Sequence, residues 1–176
     1  MTSDPDLVEH LKAHARVLHR RVIELDPAAI VRVRALRELK PLEPSAIGAE
    51  VQRRHCLATL ASELGFSSWT HLLAVLERGE SEDLGTLLCP ASCTGHWNIW
   101  SAQYDEAREI RREHGGYLLG YKRQFLIVDR FYIESMGLHP DDPNWDAIGR
   151  DWIQPAEPAA RTRLYRQLVE QTLATV

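Results

Sequence analysis

Residues 96–128 read HWNIWSAQYDEAREIRREHGGYLLGYKRQFLIV. This stretch decides the fold class. HWNIWSA is rich in aromatic and branched residues, which suit a half-buried pleated surface. YDEAREIRREHGG reads as a short amphipathic helix ended by a glycine pair. YLLGYKRQFLIV is two apolar runs around a tight turn near Gly120–Arg123, the pattern of two strands and a hairpin. The order is therefore β-α-β-β. Downstream, RFYIESMG predicts a helical turn, and LHPDDPNWDAIGRDWIQP a Pro-rich segment with a one- or two-turn helix. A terminal helix follows from Glu157-Pro158, carrying Leu164, Leu168, and Val169 or Leu173.

The residues before this stretch read as helices. Ser3 or Asp4 caps the first, with Pro5 in its opening turn. Its apolar positions Leu7, Leu11, Leu18, Val22 and Leu25 recur at roughly helical spacing. LDPAAIVRVRALRELKP predicts a second helix, opened at Asp26-Pro27 and stopped before Pro41. A third spans about Ser45 to Leu64, with Gly65 as its stop. A fourth, WTHLLAVLER, is capped by Ser67 or Ser68 and ended by Gly79. GESEDLG (79–85) is polar and Gly-bounded, which marks a boundary between lobes. The expected architecture is α+β: a four-helix lobe over 1–79, and a β-α-β-β lobe with a C-terminal helix over 84–176.

Composition narrows the function classes. The 176 residues are 44% hydrophobic with a net charge of −4 and a pI near 6.1. Such a chain has no overall attraction to nucleic acid or to acidic membrane. Its apolar runs are too short to span a bilayer, and MTSDPDLVEH has no apolar core of a secretory signal. Three cysteines without framework spacing suit reduced thiols, so a cytoplasmic location is expected. The charge is uneven. Residues 1–56 carry ten Lys/Arg against eight Asp/Glu, and the remainder eleven against seventeen, so any basic face belongs to the front helices.

Cys89, Cys93 and His96 form a C-x3-C-x2-H cluster in LCPASCTGHWNIW (88–100). Thiolate and imidazole suit zinc, and three ligands plus water would make an open metal site. Two other readings stand beside this one. The cysteines flank a turn made by Pro90, Thr94 and Gly95, or they form a reversible disulfide. The spacing also resembles the C-x3-C-x2-C loop of iron–sulfur radical enzymes, with His96 in place of the last cysteine.

The hairpin places Tyr121, Lys122, Arg123 and Gln124 together, a cationic and amide group beside aromatics that suits an anionic ligand. A charged hairpin tip also discourages edge-to-edge strand pairing. In DDPNWDAIGRDW (141–152), Asp146 and Arg150 are spaced for a helical ion pair. Asp141 and Asp142 read as turn and cap residues, and Trp145 and Trp152 as staples onto the sheet.

LASELGFSSWTHLLA resembles the LA-x-x-x-GF-x-SW-x-x-L helical segment of bacterial glyoxalase-related and ankyrin-containing proteins, over residues 57–74. The resemblance implies a helix pair whose turn is anchored by Phe66 and Trp69, and it carries no catalytic residue. Modules of the glyoxalase superfamily fold as β-α-β-β-β and bind metal through their strands, which would make His96 a ligand position. GGYLLGYKRQFLIV and DDPNWDAIGRDW are similar to an uncharacterised bacterial family with no activity attached.

The expected function is that of a binding or regulatory protein for a small anionic ligand or a protein partner. Its ligand groove would lie between the lobes and use Trp97, Asn98, Tyr121, Lys122, Arg123 and Gln124. The alternatives are a small zinc protein or enzyme at Cys89, Cys93 and His96, and nucleic-acid backbone binding. For the last, the candidates are Arg20, Arg21, Arg32, Arg34, Arg37, Lys40, Arg53 and Arg54. The expectation rests on the thiol-bearing bend and the cationic bend sharing one neighbourhood.

Overall fold

Helix α1 (Pro5–Ile23) forms because its apolar residues fall on one stripe. Leu7, Val8, Leu11, Ala15, Leu18 and Val22 are all buried, the face such a helix must hide. A computed structural model describes residues 5–78 and 81–175, without the side chains of residues 5, 6, 77 and 78. The expected caps Ser3 and Asp4 and the stop Gly79 lie outside the described residues.

α2 (Pro27–Arg34) begins where Asp26 accepts hydrogen bonds from the backbone N–H groups of Ala28 and Ala29. Such a cap contributes roughly 1 kcal/mol. The helix ends at Ala35, well before Pro41, and turns carry the chain to α3 (Pro44–Glu50). A single helix was expected over about 45–64. It is broken at Val51 and Gln52, both of them extended. Gln52 restarts the chain as α4 (Arg53–Glu63) through a capping box with His55, whose Nδ1 accepts from Gln52 N at 3.0 Å. The break is hard to read because the box uses Gln and His where Ser/Thr and Glu are the usual signal. The front unit thus holds five α-helices among the described residues, not four; the fifth is α5 (Trp69–Leu73).

α4 packs on α1 and α2. Arg32 in α2 clamps Glu63 in α4 with two parallel bonds of 2.8 and 2.7 Å. Gly65 closes the α4–α5 turn at φ +80°, a conformation that favours glycine. Phe66 is buried, with its ring 5.4 Å from that of His71, and Trp69 is half-buried.

The chain divides into two units between Leu73 and Ala74. α5 is followed by a π-helical turn, Ala74–Arg78.

The second unit is built on a three-stranded antiparallel sheet in the order β1-β3-β2. β1 is Asn98–Ser101, β2 Tyr117–Tyr121 and β3 Gln124–Val128, with α6 (Tyr104–His114) between β1 and β2. The order is the expected β-α-β-β, so the chain is α+β. Ile99, Ile127 and Leu118 are in register across the three strands. They share a face with Ala107 of α6 and close a small core. α7 (Arg130–Ser135), α8 (Pro143–Ala147) and α9 (Pro158–Thr175) follow. Asp142 caps α8 through Asn144 N, and Arg150 pairs with Asp146 at 3.1 Å, as their spacing predicts.

β2 has one further neighbour. Leu118 makes a parallel bridge with Asp151. Leu118 N donates to Arg150 O, and Trp152 N donates to Leu118 O, each at 2.9 Å. Successive residues of an extended segment point to opposite sides. Asp151 therefore meets α6, where Tyr104 donates to it at 2.6 Å. Trp152 points the other way, into a run of rings: Tyr117, Trp145, Trp152 and Tyr165, with successive centroids 4.8, 5.3 and 4.8 Å apart. Among the described residues, no helix is long and apolar enough to cross a membrane.

Candidate functional site

The thiol-bearing bend is fastened to α7. Asp129 caps α7 by accepting from Tyr132 N, which sets Tyr132 inside the protein with 1% exposure. Tyr132 Oη donates to Leu88 O at 3.0 Å. The Cys93 thiol donates to Tyr132 O at 3.7 Å. The Ser135 hydroxyl and His96 Nε2 are hydrogen-bonded at 2.6 Å. Burial pushes the Cys93 thiol above its ordinary pKa, and the nearby Cys89 thiol adds to the rise. A zinc ligand must be a thiolate or an imidazole with a free ring nitrogen. Here the Cys93 proton and His96 Nε2 are both engaged in holding the loop. Among the described residues, no group of three or more His, Cys, Asp or Glu side chains is arranged to hold a metal. Cys56, Cys89 and Cys93 are free thiols.

The cationic bend is elsewhere. β1 runs antiparallel to β3, so Asn98 faces Val128, while the hairpin closes at Tyr121 and Gln124. Four residues of strand separate these two points, roughly 14 Å. Trp97 and Asn98 therefore stand away from Lys122, Arg123 and Gln124; Trp100 Nε1 donates to Asn98 Oδ1 at 2.7 Å, and its ring meets that of Tyr121 at 5.5 Å. A strand entering near His96 can pair with either end of a hairpin, and the sequence carries no mark of which.

The hairpin tip has a different task. Lys122 N donates to Gly85 O, and Leu84 N donates to Lys122 O. Arg123 pairs with Glu82 at 3.7 Å. Lys122 Nζ sits 5.2 Å from the Tyr121 ring centre. Together these hold the segment 82–85 against the end of the sheet. Among the front-half arginines, Arg32 pairs with Glu63 and Arg21 with Asp26.

The held segment forms one wall of a cavity of about 160 Å³. Leu84, Leu88, Phe125 and Ile153 supply apolar surface, and Trp152, Arg161 and Tyr165 supply the polar groups. Arg161 and Tyr165 are four apart on α9 and so share its face. Arg161 Nη1 donates to Trp152 O at 3.0 Å and Ile153 O at 3.4 Å, which fixes the guanidinium at the wall. Burial pushes the Tyr165 phenol pKa up, so it stays protonated. Trp152 is 1% exposed, and its Nε1–H has no hydrogen-bond partner. It lies near enough to the Tyr165 hydroxyl to oppose that rise, but not at hydrogen-bonding geometry.

No protein-family model matches the sequence, and comparison with curated proteins and with solved structures finds no match.

Trp152 is expected to staple its segment onto the sheet; its ring lies against Trp145 and Tyr165, and the residue also lines the cavity. The i, i+4 pairing of Arg161 with Tyr165 was the available signal. Nothing in the sequence says that Leu84 and Phe125 complete the wall.

Proposed function

We propose that the second unit binds a small monocarboxylate with an apolar body in the cavity beside Trp152. The unpartnered Trp152 Nε1–H carries this reading. A buried donor left without an acceptor costs roughly 1–3 kcal/mol, which a ligand oxygen would recover. Arg161 supplies the positive charge, and the protonated Tyr165 hydroxyl supplies a second donor. The apolar body lies against Leu84, Leu88, Phe125 and Ile153. The volume limits the ligand: about 150 Å³ of apolar cavity accommodates a benzene, so the fit is a ligand of that size with one acid group. Glu82 stands at the rim but is engaged by Arg123. The hairpin residues Lys122 and Arg123 thus serve the site by holding its wall.

Calorimetric titration with benzoate and hexanoate, beside benzyl alcohol and hexanol, tests the reading. Saturable binding of the acids, at least tenfold weaker for the alcohols and for Arg161→Gln, is expected. Equal affinity for acid and alcohol would overturn it.

A further inference from the structure

A second cleft lies across the Asp151–Trp152 segment from that cavity, between α6 and residues 148–156. It measures about 220 Å³ and is lined by Tyr104, Arg108, Arg111, Gly149, Asp151 and Gln154, among others. Tyr104, Arg108 and Arg111 are spaced i, i+4, i+7, so α6 turns one stripe to this cleft.

The charges in the cleft are unusual in one respect. Asp151 is already satisfied: Tyr104 Oη donates to Oδ2, and the Ile153 and Gln154 N–H groups donate to Oδ1. It pairs with neither arginine. Among the described residues, Arg108 and Arg111 make no ion pair or side-chain hydrogen bond, whereas their helix neighbour Arg112 holds Glu109 at 2.9 Å. The Arg111 Nε atom is buried and without a partner. Residues beyond 56 carry seventeen acids against eleven bases, so carboxylates are in surplus while these two guanidinium groups stay unpaired. A buried guanidinium N–H without an acceptor is costly, and planar donors of this kind favour oxyanions.

We infer that this cleft is an oxyanion site, in which Arg108 and Arg111 together hold a doubly charged phosphate group and the Gln154 side chain adds a neutral contact. Two guanidinium charges match a phosphate dianion better than a single carboxylate. Free phosphate and a phosphate monoester share this chemistry. The inference is independent of the carboxylate cavity, because no residue that would bind the phosphate lines that cavity.

The test is titration of isotope-labelled full-length protein with inorganic phosphate, read at the arginine Nε–Hε resonances, with sodium chloride at equal ionic strength as control. A second arm uses glycerol 1-phosphate, to separate free phosphate from a monoester. A saturable shift of the Arg111 Nε–Hε signal is expected with at least one of the two. Arg108→Gln should weaken binding roughly tenfold or more, and Trp152→Phe should leave it unchanged. If Arg111 shifts no more with either phosphate than with chloride, the inference falls. It falls equally if a folded Arg108→Gln, Arg111→Gln double variant binds as well as the wild type. The wild-type readout stands even where a variant does not fold.

Discussion

Asp151 bridges Leu118 on the outer edge of β2, and that single pairing sets the chemistry on both sides of it. It aims the Asp151 carboxylate at Tyr104 of α6 and the Trp152 indole at Tyr165 of α9. Asp151 is 8% exposed and Trp152 is 1% exposed, so neither side chain can turn to water without opening the segment. The two candidate sites therefore flank adjacent residues of one bridged segment.

Tyr104→Phe removes one of the three donors to Asp151 and leaves a buried carboxylate oxygen without a partner. A loss of about 1–3 kcal/mol is expected, measured by urea unfolding. The midpoint should fall with little change in slope, because the surface exposed on unfolding is the same.

Alkaline pH should destabilise the protein through its tyrosines. Burial, first of all, raises the phenol pKa of Tyr104, Tyr117, Tyr132 and Tyr165 above 10.0. Above that value the unfolded chain loses phenolic protons that the folded chain keeps. The folded state then binds more protons, and stability falls as pH rises. The stability these groups contribute is complete below about pH 10 and declines above it. Thermal unfolding followed from pH 8 to 11 should show this decline, and the decline should be shallower in Tyr104→Phe.

The three thiols should react in order of exposure. Cys56 and Cys93 are buried, and burial raises both pKa values, that of Cys56 to about 11; Cys89 is half-buried. The thiolate is the reactive form. Iodoacetamide at pH 7.5 should label Cys89 first in the native protein, by mass spectrometry of digests. Ser135→Ala, which frees His96 from its 2.6 Å bond, should speed labelling of Cys93 severalfold by loosening the loop.

Gly120 lies where a Cβ would overlap Leu84 Cδ1 and sit 2.9 Å from Ile153 Cδ1. Both are ends of flexible side chains, and both residues line the cavity. Gly120→Ala should therefore cost only about 1 kcal/mol in stability while reducing benzoate affinity severalfold. Calorimetry and thermal unfolding on the same sample separate the two effects.

Much of the fold is legible in the sequence because local signals agree. Asp26-Pro27, Asp142-Pro143 and the Gly115–Gly116 pair each mark a helix end, and YLLGYKRQFLIV can hardly be anything but a hairpin. The break at Val51–Gln52 was not legible, since Gln52 and His55 form a capping box outside the usual residue pattern. The site was less legible still. Cys89, Cys93 and His96 look like ligands because of their types, but the hydrogen bonds of Cys93 and His96 go to Tyr132 and Ser135, some forty residues later. Whether β1 enters at the hairpin or at the far end of β3 is a matter of register, fixed by long-range pairing. Trp152 becomes a candidate only once it is seen to line one cavity with Arg161 and Leu84 while its indole nitrogen has no acceptor.

The most direct test of the account is the indole Nε1–H resonance of Trp152, identified by its absence in Trp152→Phe and followed by ¹H–¹⁵N NMR as benzoate is added. A saturable downfield shift of this signal, with the other four tryptophan indoles moving little, is the predicted result. A Trp152 signal that stays in place while benzoate reaches 10 mM, about the weakest affinity such a cavity would give, would contradict it.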